Sequence, residues 1–415
     1  MAHALIFGAS GISGWSLLNQ AGTYPSPTTF QRITGTTNRP FTLKQAQIPA
    51  DDRIQLVPGV DLSKSVDEVA ELLKEKVPDI NTVSHVFFTA YIQEKDFETL
   101  KATNTRLLDV AVRAIEKVSP SLRSVILQTG GKGYGLEFPN EVGIQPPLAE
   151  DTPRIPEPWA SKIFYYTQYD LLKSLSQGKR WTFSEIRPDG IVGFAPGSNA
   201  MNMAQGIGIY LSLYRAVKGA GSTVPFPGYE HGYHSTHSDT FQDILSKMEI
   251  YAALNPEKCG DGGVFNVADG KTVTWAEVWP KLCEHFGLVG GGPDAESTPM
   301  LEFVKQHKHV WLELAQQHGL NEKLVDEQGW GHVHFMMVQF DFDRQYDLTR
   351  SRAVGFSEEV NTAESSYILS WRRQAIAAHI GRYASPETAC SKQNSRVNYT
   401  RRGTYCSWAS LYGYG

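Results

Sequence analysis

At 415 residues the chain is long for one domain and suits a large domain carrying a smaller one. Hydrophobic residues at 41% and charged ones at 20% fit a globular protein with a sizeable core. A net charge of −5, with no basic cluster interleaved with aromatics, gives no electrostatic basis for binding nucleic acid or an anionic membrane. No apolar run reaches the length of a membrane span, and the N-terminus lacks a signal-peptide pattern. The four cysteines (Cys259, Cys283, Cys390, Cys406) have neither metal-ligand spacing nor a disulfide framework. A reduced, cytoplasmic protein is expected.

The first element, His-Ala-Leu-Ile-Phe ending at Gly8, reads as a short apolar strand, and the segment from Ile12 has helical spacing. Phe30 to Thr36 is a second strand and the stretch near Ile54 a third. Ser65 to Val77 is an amphipathic helix whose serine is placed to cap it. His85 to Ala90 is a buried strand, followed by a long helix beginning near Thr99. A strand at Ser124–Gly130, the helix carrying Phe-Tyr-Tyr-Thr-Gln-Tyr-Asp, and the strand Trp-Thr-Phe-Ser-Glu-Ile-Arg-Pro complete the first half. This alternation predicts an α/β fold, a Rossmann-type doubly wound parallel sheet, over residues 1–190. From 191 to 380 the mixture of helices and short strands predicts a smaller, mostly C-terminal substrate-binding cap, interleaved with returns to the main sheet. Residues 381–415 are polar and basic, and read as a disordered tail.

Gly8, Gly11 and Gly14 form a G-x-x-G-x-x-G motif between the first strand and the first helix, with Ser10 and Ile12 inside it. Such glycines let the chain turn tightly and let a pyrophosphate approach the helix N-terminus. After the second strand a protein selective for NAD carries an acid for the ribose hydroxyls; this chain offers Thr36, Thr37, Asn38 and Arg39. A guanidinium beside small hydroxyls suits a 2′-phosphate, so NADPH is favoured over NADH. Asp61 and Leu62 are expected near the adenine, Thr89 and Thr129 near the cofactor's centre, and Pro188 and Ile191 at the nicotinamide.

Tyr166 is followed four residues later by Asp170, where many nicotinamide-dependent reductases carry a lysine. The strand-end loop Thr-Gly-Gly-Lys-Gly-Tyr-Gly has Gly130 at the usual serine position, and carries Lys132 instead. A cation there would draw the tyrosine pKa down. These segments, with Phe-Asn-Val-Ala-Asp-Gly-Lys-Thr-Val-Thr-Trp-Ala-Glu-Val-Trp in the cap, resemble the plant progesterone 5β-reductase and iridoid synthase family of atypical short-chain dehydrogenases, from the glycine motif to about Ile380. The resemblance implies NADPH-dependent reduction of an activated carbon–carbon double bond in an enone or enal. It implies Lys132 and Tyr166 as the catalytic pair, with Tyr165 the adjacent candidate, and a role in secondary metabolism. Departures from the family pattern are Gly133, Tyr169, Asn38 and the absence of the tryptophan common after the fourth strand, where the chain reads Phe-Phe-Thr-Ala-Tyr.

Tyr91, Phe194 and Met201, with Met203 and Tyr210, are candidate linings of an apolar substrate pocket. His231, His234 and His237 lack a spaced fourth ligand, and no metal is expected. Ser238 or Asp239 is expected to cap the next helix, and His332 and His334 alternate as in a strand, with no role assigned. The substrate is expected to be a small apolar carbonyl compound and the protein a monomer or homodimer. Two other readings remain: an NADP(H)-dependent ketone reductase or alcohol dehydrogenase, and a non-catalytic NADP-binding regulatory protein.

Overall fold

The structure, a computed structural model, describes residues 2–196, 199 and 201–373. Six strands of the first half, β1 (His3–Phe7), β2 (Arg32–Thr37), β3 (Ile54–Pro58), β4 (His85–Phe88), β5 (Ser124–Gln128) and β6 (Thr182–Pro188), are joined by the later strand Gly263–Val267. The order is Gly263–Val267, β6, β5, β4, β1, β2, β3, with every pairing parallel. Burial on both faces explains why these strands read as continuous apolar runs. One face packs Leu5, Phe7, Val86, Phe88, Val125 and Leu127 against the helices Val66–Lys76 and Phe97–Val118. The other packs Ala4, Ile6, Phe87, Ile126 and Ile186 against Ile12–Ala21 and Gln242–Leu254.

The doubly wound sheet expected from the alternation of elements is present. Strand order reverses between β1 and β4, and in such folds ligands bind at the crevice opened there beyond the strand C-termini. Ser65 caps its helix through a complete capping box: its Oγ accepts from the Glu68 N–H at 3.3 Å, and the Glu68 carboxylate accepts from the Ser65 N–H at 3.0 Å.

Beyond β6, the strand β7 (Gly190–Val192) pairs with Asp239–Phe241, and Thr223–Phe226 pairs with Val289–Pro293. Around them a second core gathers Tyr210, Phe226, Trp279, Phe303 and Trp311. Neither Ser238 nor Asp239 caps a helix. Asp239 opens a buried strand, because its backbone pairs with Gly190, and the helix begins only at Gln242. His332 and His334 lie on the helix Trp330–His334, since Val333 between them points into the core, against Gly206. The expected tail at 381–415 lies outside the described residues. No helix among the described residues is long and apolar enough to cross a membrane.

Candidate active site

The glycine motif sits at the switch point. The Gly8 and Ala9 N–H groups donate to the Thr36 carbonyl (3.2 and 3.1 Å), tying the turn to the end of β2. Gly8 has φ +91°, and a Cβ there would lie 2.9 Å from the Ala90 nitrogen just past β4. A Cβ at Gly14 would collide with the Gly8 carbonyl, so the helix is drawn tightly against the strand. At Gly11 the nearest heavy atom to such a Cβ is that same carbonyl oxygen, at 3.4 Å. The helix opens at Ile12 without a side-chain cap, leaving its first N–H groups for a ligand. This uncapped, glycine-lined cradle fits a pyrophosphate.

Thr36 and Thr37 are buried at the end of β2, and the Thr37 hydroxyl donates to the Arg39 carbonyl at 2.7 Å, fixing the turn that exposes Asn38 and Arg39. Asp61 follows β3, where its carboxylate accepts from the Ser63 N–H and hydroxyl (3.0 and 2.7 Å), and Leu62 beside it is buried. Thr89 donates from its hydroxyl to the Phe7 carbonyl at 2.8 Å, joining the ends of β1 and β4. The following loop is held by Asn104, fully buried, which accepts from the Ile92 N–H and donates back to the Ile92 carbonyl (3.0 and 2.9 Å).

At the end of β5 the Thr129 hydroxyl donates to the Glu185 carboxylate at 2.6 Å. Glu185, 1% exposed, also accepts from Arg187 at 2.8 and 3.1 Å. The Arg187 guanidinium lies over the Tyr134 ring and beside Gly133, so a buried ion pair supports the Gly130–Tyr134 loop.

The two adjacent tyrosines of the helix Phe164–Leu175 have different surroundings. The Tyr166 hydroxyl donates to the Gly133 carbonyl at 2.7 Å and accepts from the Ile155 N–H at 3.2 Å. Its ring packs with Phe138, Ile155 and Ile163, under the Arg154 guanidinium. The Tyr165 hydroxyl makes no hydrogen bond among the described residues, and a Cβ at Gly130 would lie 3.7 Å from it. It therefore faces the usual serine position. Its ring packs edge-on against Phe164, on which Tyr91 stacks.

Lys132, on the short 3₁₀ turn Gly131–Tyr134, gives its ammonium to Glu137 at 2.8 Å. Burial, and then the negative charge of Glu137, push the Tyr165 hydroxyl above its ordinary pKa. The same causes raise Tyr91 to about 12, and burial raises Tyr166. Both members of the tyrosine pair thus stay protonated, as hydrogen-bond donors rather than tyrosinates. Glu137, which pairs with the Lys132 ammonium, acts on Tyr165 in the opposite sense to the lowering expected from that lysine. Burial, and then the charge of Lys132, lower His332 to about 4, which places that imidazole by the same loop.

The structure brings together Lys132, Tyr165 and Tyr91, with Glu137 and His332, to which sequence reasoning gave no role. Phe194 instead packs edge-on against Trp15, and its N–H donates to the Gln242 side chain at 2.8 Å. Met201 is exposed, whereas Met203 and Tyr210 lie in the second core. Pro188 ends β6, and Ile191 lies in β7. Asp170 is taken up by Arg154 in an exposed bidentate pair (2.7 and 2.8 Å). No cluster of metal-ligating side chains occurs among the described residues.

Residues 4–380 match the family model for a PRISE-like Rossmann-fold domain. The chain is 35% identical over 373 residues to the short chain dehydrogenase ausT of Aspergillus calidoustus, covering 88% of this chain and 90% of that protein. It is 30% identical over 375 residues to a 3-oxo-Δ(4,5)-steroid 5-beta-reductase of Arabidopsis thaliana, covering 89% and 90%. Among solved structures, a UDP-glucose 4-epimerase of Thermotoga maritima shares the fold, with a TM-score of 0.57 at 12% identity over 91% of this chain and 100% of that one. The resemblance read from the loop and tyrosine segments is thereby borne out. The chain belongs to the family of PRISE-like Rossmann-fold proteins and is an oxidoreductase of the short-chain dehydrogenase/reductase type.

Proposed function

We propose that the protein is an NADPH-dependent reductase of an activated carbon–carbon double bond, acting on a small apolar enone or enal in secondary metabolism. The carrying observation is the hydroxyl of Tyr165, which bonds to nothing described and lies beside Gly130 just past the end of β5. The names of two relatives, a 3-oxo-Δ(4,5)-steroid 5-beta-reductase and an (S)-8-oxocitronellyl enol synthase, point the same way.

The Gly8–Gly14 cradle, with Ser10 and Ile12, would hold the pyrophosphate; Asn38 and Arg39 the 2′-phosphate; Asp61 and Leu62 the adenine side; Thr89, Thr129, Pro188 and Ile191 the nicotinamide side. The bound nicotinamide supplies a hydride for the β-carbon. Tyr165 donates a hydrogen bond to the carbonyl oxygen, on which negative charge grows. One such donor is typically worth a few kcal/mol in a site shielded from water. Lys132, held by Glu137, would help to hold the cofactor ribose. Tyr91 and the apolar parts of the cleft exclude water.

Carbonyl reduction needs a full proton delivered to an alkoxide, normally by tyrosine with a serine and a relay lysine. Gly130 and Asp170 occupy those two places. An enolate shares its charge between the oxygen and the α-carbon, so a single hydrogen-bond donor at the oxygen stabilises it. The deciding experiment mixes purified protein and NADPH with a panel of enones, enals and ketones and identifies the products. A saturated carbonyl product is expected: hydride adds at the β-carbon, and the enolate that leaves the site takes its balancing proton at the α-carbon from solvent. An allylic alcohol would instead establish the ketone reductase, and NADPH binding without turnover the regulatory protein.

A further inference from the structure

The segment Arg344–Asp347 lies far along the chain from the loop of Lys132, yet it is built into the same corner. Arg344, 2% exposed, donates to the Asp189 carboxylate at 2.6 Å, and its N–H donates to the Thr236 carbonyl at 2.8 Å. The Leu148 N–H donates to the Gln345 carbonyl, and the Asp347 N–H returns to the Leu148 carbonyl (2.8 and 2.9 Å). Between them Tyr346, 5% exposed, donates its N–H to the Ser238 hydroxyl oxygen at 3.1 Å. Its own hydroxyl donates to the Pro188 carbonyl at 3.0 Å.

That carbonyl oxygen would lie only 3.3 Å from a Cβ on Gly130, and the Tyr346 hydroxyl 3.0 Å from one on Gly131. The Tyr346 ring meets Tyr134 edge-on at 5.6 Å, and the Tyr134 hydroxyl donates to Asn266 at 2.6 Å. Asn266 donates in turn to the Leu148 and Asp347 carbonyls (2.8 and 3.0 Å). One buried side chain thus joins the end of β6 to the turn after β5.

We propose that Tyr346 is a positioning residue: its hydroxyl on Pro188 fixes the segment that holds the nicotinamide against the Gly130–Tyr134 loop facing Tyr165. This rests on the proposed reductase reading. Hydride transfer needs the reacting atoms about 3–3.5 Å apart, and a displacement of about 1 Å costs on the order of 10²-fold in rate. Tyr346 touches neither reactant in this scheme and acts by setting that separation.

The test is Tyr346→Phe in the full chain, which removes the hydroxyl and keeps the ring. Three readouts are taken: backbone hydrogen exchange across residues 129–136 without cofactor, NADPH affinity by fluorescence titration, and kcat with its isotope effect using 4-deuterated NADPH. Faster exchange, an NADPH affinity within about threefold, a kcat lower by about tenfold or more, and a larger isotope effect are expected. Unchanged exchange with kcat within about twofold overturns the proposal. So does a kcat loss matched by equal losses of NADPH affinity and melting temperature, which marks a merely structural role. If the wild type reduces no enone, the reductase reading fails separately, and the exchange and NADPH arms still decide the link. Should Tyr346→Phe not fold, Ser238→Ala, which loosens the same segment through the Tyr346 N–H, is expected to speed exchange in 129–136; unchanged exchange there overturns the proposal.

Discussion

Tyr165 and Tyr166 have the same side chain on the same turn of helix, and hydrogen bonding separates them. Tyr166→Phe leaves the Ile155 N–H and the Gly133 carbonyl without their partner, so a loss of about 1 kcal/mol in denaturant stability is expected, with kcat largely kept. Tyr165→Phe removes a hydroxyl that bonds to nothing described, so stability should hold while kcat falls about 10²–10³-fold. Paired steady-state and urea-unfolding measurements check both; the opposite pattern would return the active role to Tyr166. The sequence narrowed the choice to these two and no further. Adjacent helical residues point about 100° apart, and which one faces the crevice depends on how the helix is rotated. That rotation is set by Phe138, Ile155 and Ile163, which seat Tyr166. Arg39 is the other residue whose role can be isolated. It is exposed, so Arg39→Ala should leave folding intact and raise KM for NADPH about tenfold or more, the worth of a charge-assisted phosphate contact, with KM for NADH unchanged. Equal effects on both cofactors would remove the case for a 2′-phosphate site there.

Among the elements, the glycine turn is under a tight local constraint from backbone on both sides. Gly14→Ala must push the first helix off the Gly8 carbonyl, which displaces the N–H groups of the cradle. NADPH affinity is expected to fall at least about tenfold, read by fluorescence titration; retained affinity would mean that the phosphates do not sit there. This element was legible because strand, turn and helix are contiguous and their glycines follow from local sterics. The Ser65 cap was legible for the same reason. The segment after Thr236 was not. Ser238 and Asp239 have the residue types of a cap, yet pairing of Asp239 with Gly190 and the bond from the Tyr346 N–H to Ser238 claim them first. Long-range backbone pairing overrode local propensity, and nothing within the segment announces it.

Across the whole molecule, burial of titratable groups links folding to pH. His3 and His85 are buried in β1 and β4, and burial lowers each to about 4 from 6.5. A group whose folded pKa is depressed contributes stability that is present above its unfolded pKa and is lost as the pH falls through the folded value. Stability should therefore decline from about pH 6.5 towards pH 4, by an upper bound of roughly 3 kcal/mol per histidine. Denaturant melts across that range, compared with His85→Gln, check it; an unchanged pH slope in the variant would exclude His85 as a contributor. The His3 ring nitrogens lie 3.0 and 2.9 Å from the Thr82 and Thr34 hydroxyls, from two different parts of the chain, a pairing no local motif predicts.

By itself the sequence determined the alternation of strands and helices, the glycine cradle, the absence of an acid after β2, the replacement of the usual serine and lysine by Gly130 and Asp170, and the lysine at 132. Each of these depends on residues a few positions apart, where sterics and periodicity act directly. Only the tertiary structure decided which tyrosine hydroxyl stays unengaged, that Glu137 meets the charge of Lys132, and that Tyr346 closes the corner from the far end of the chain. Those outcomes depend on how distant segments pack, and burial and hydrogen-bond satisfaction are settled only when the segments meet.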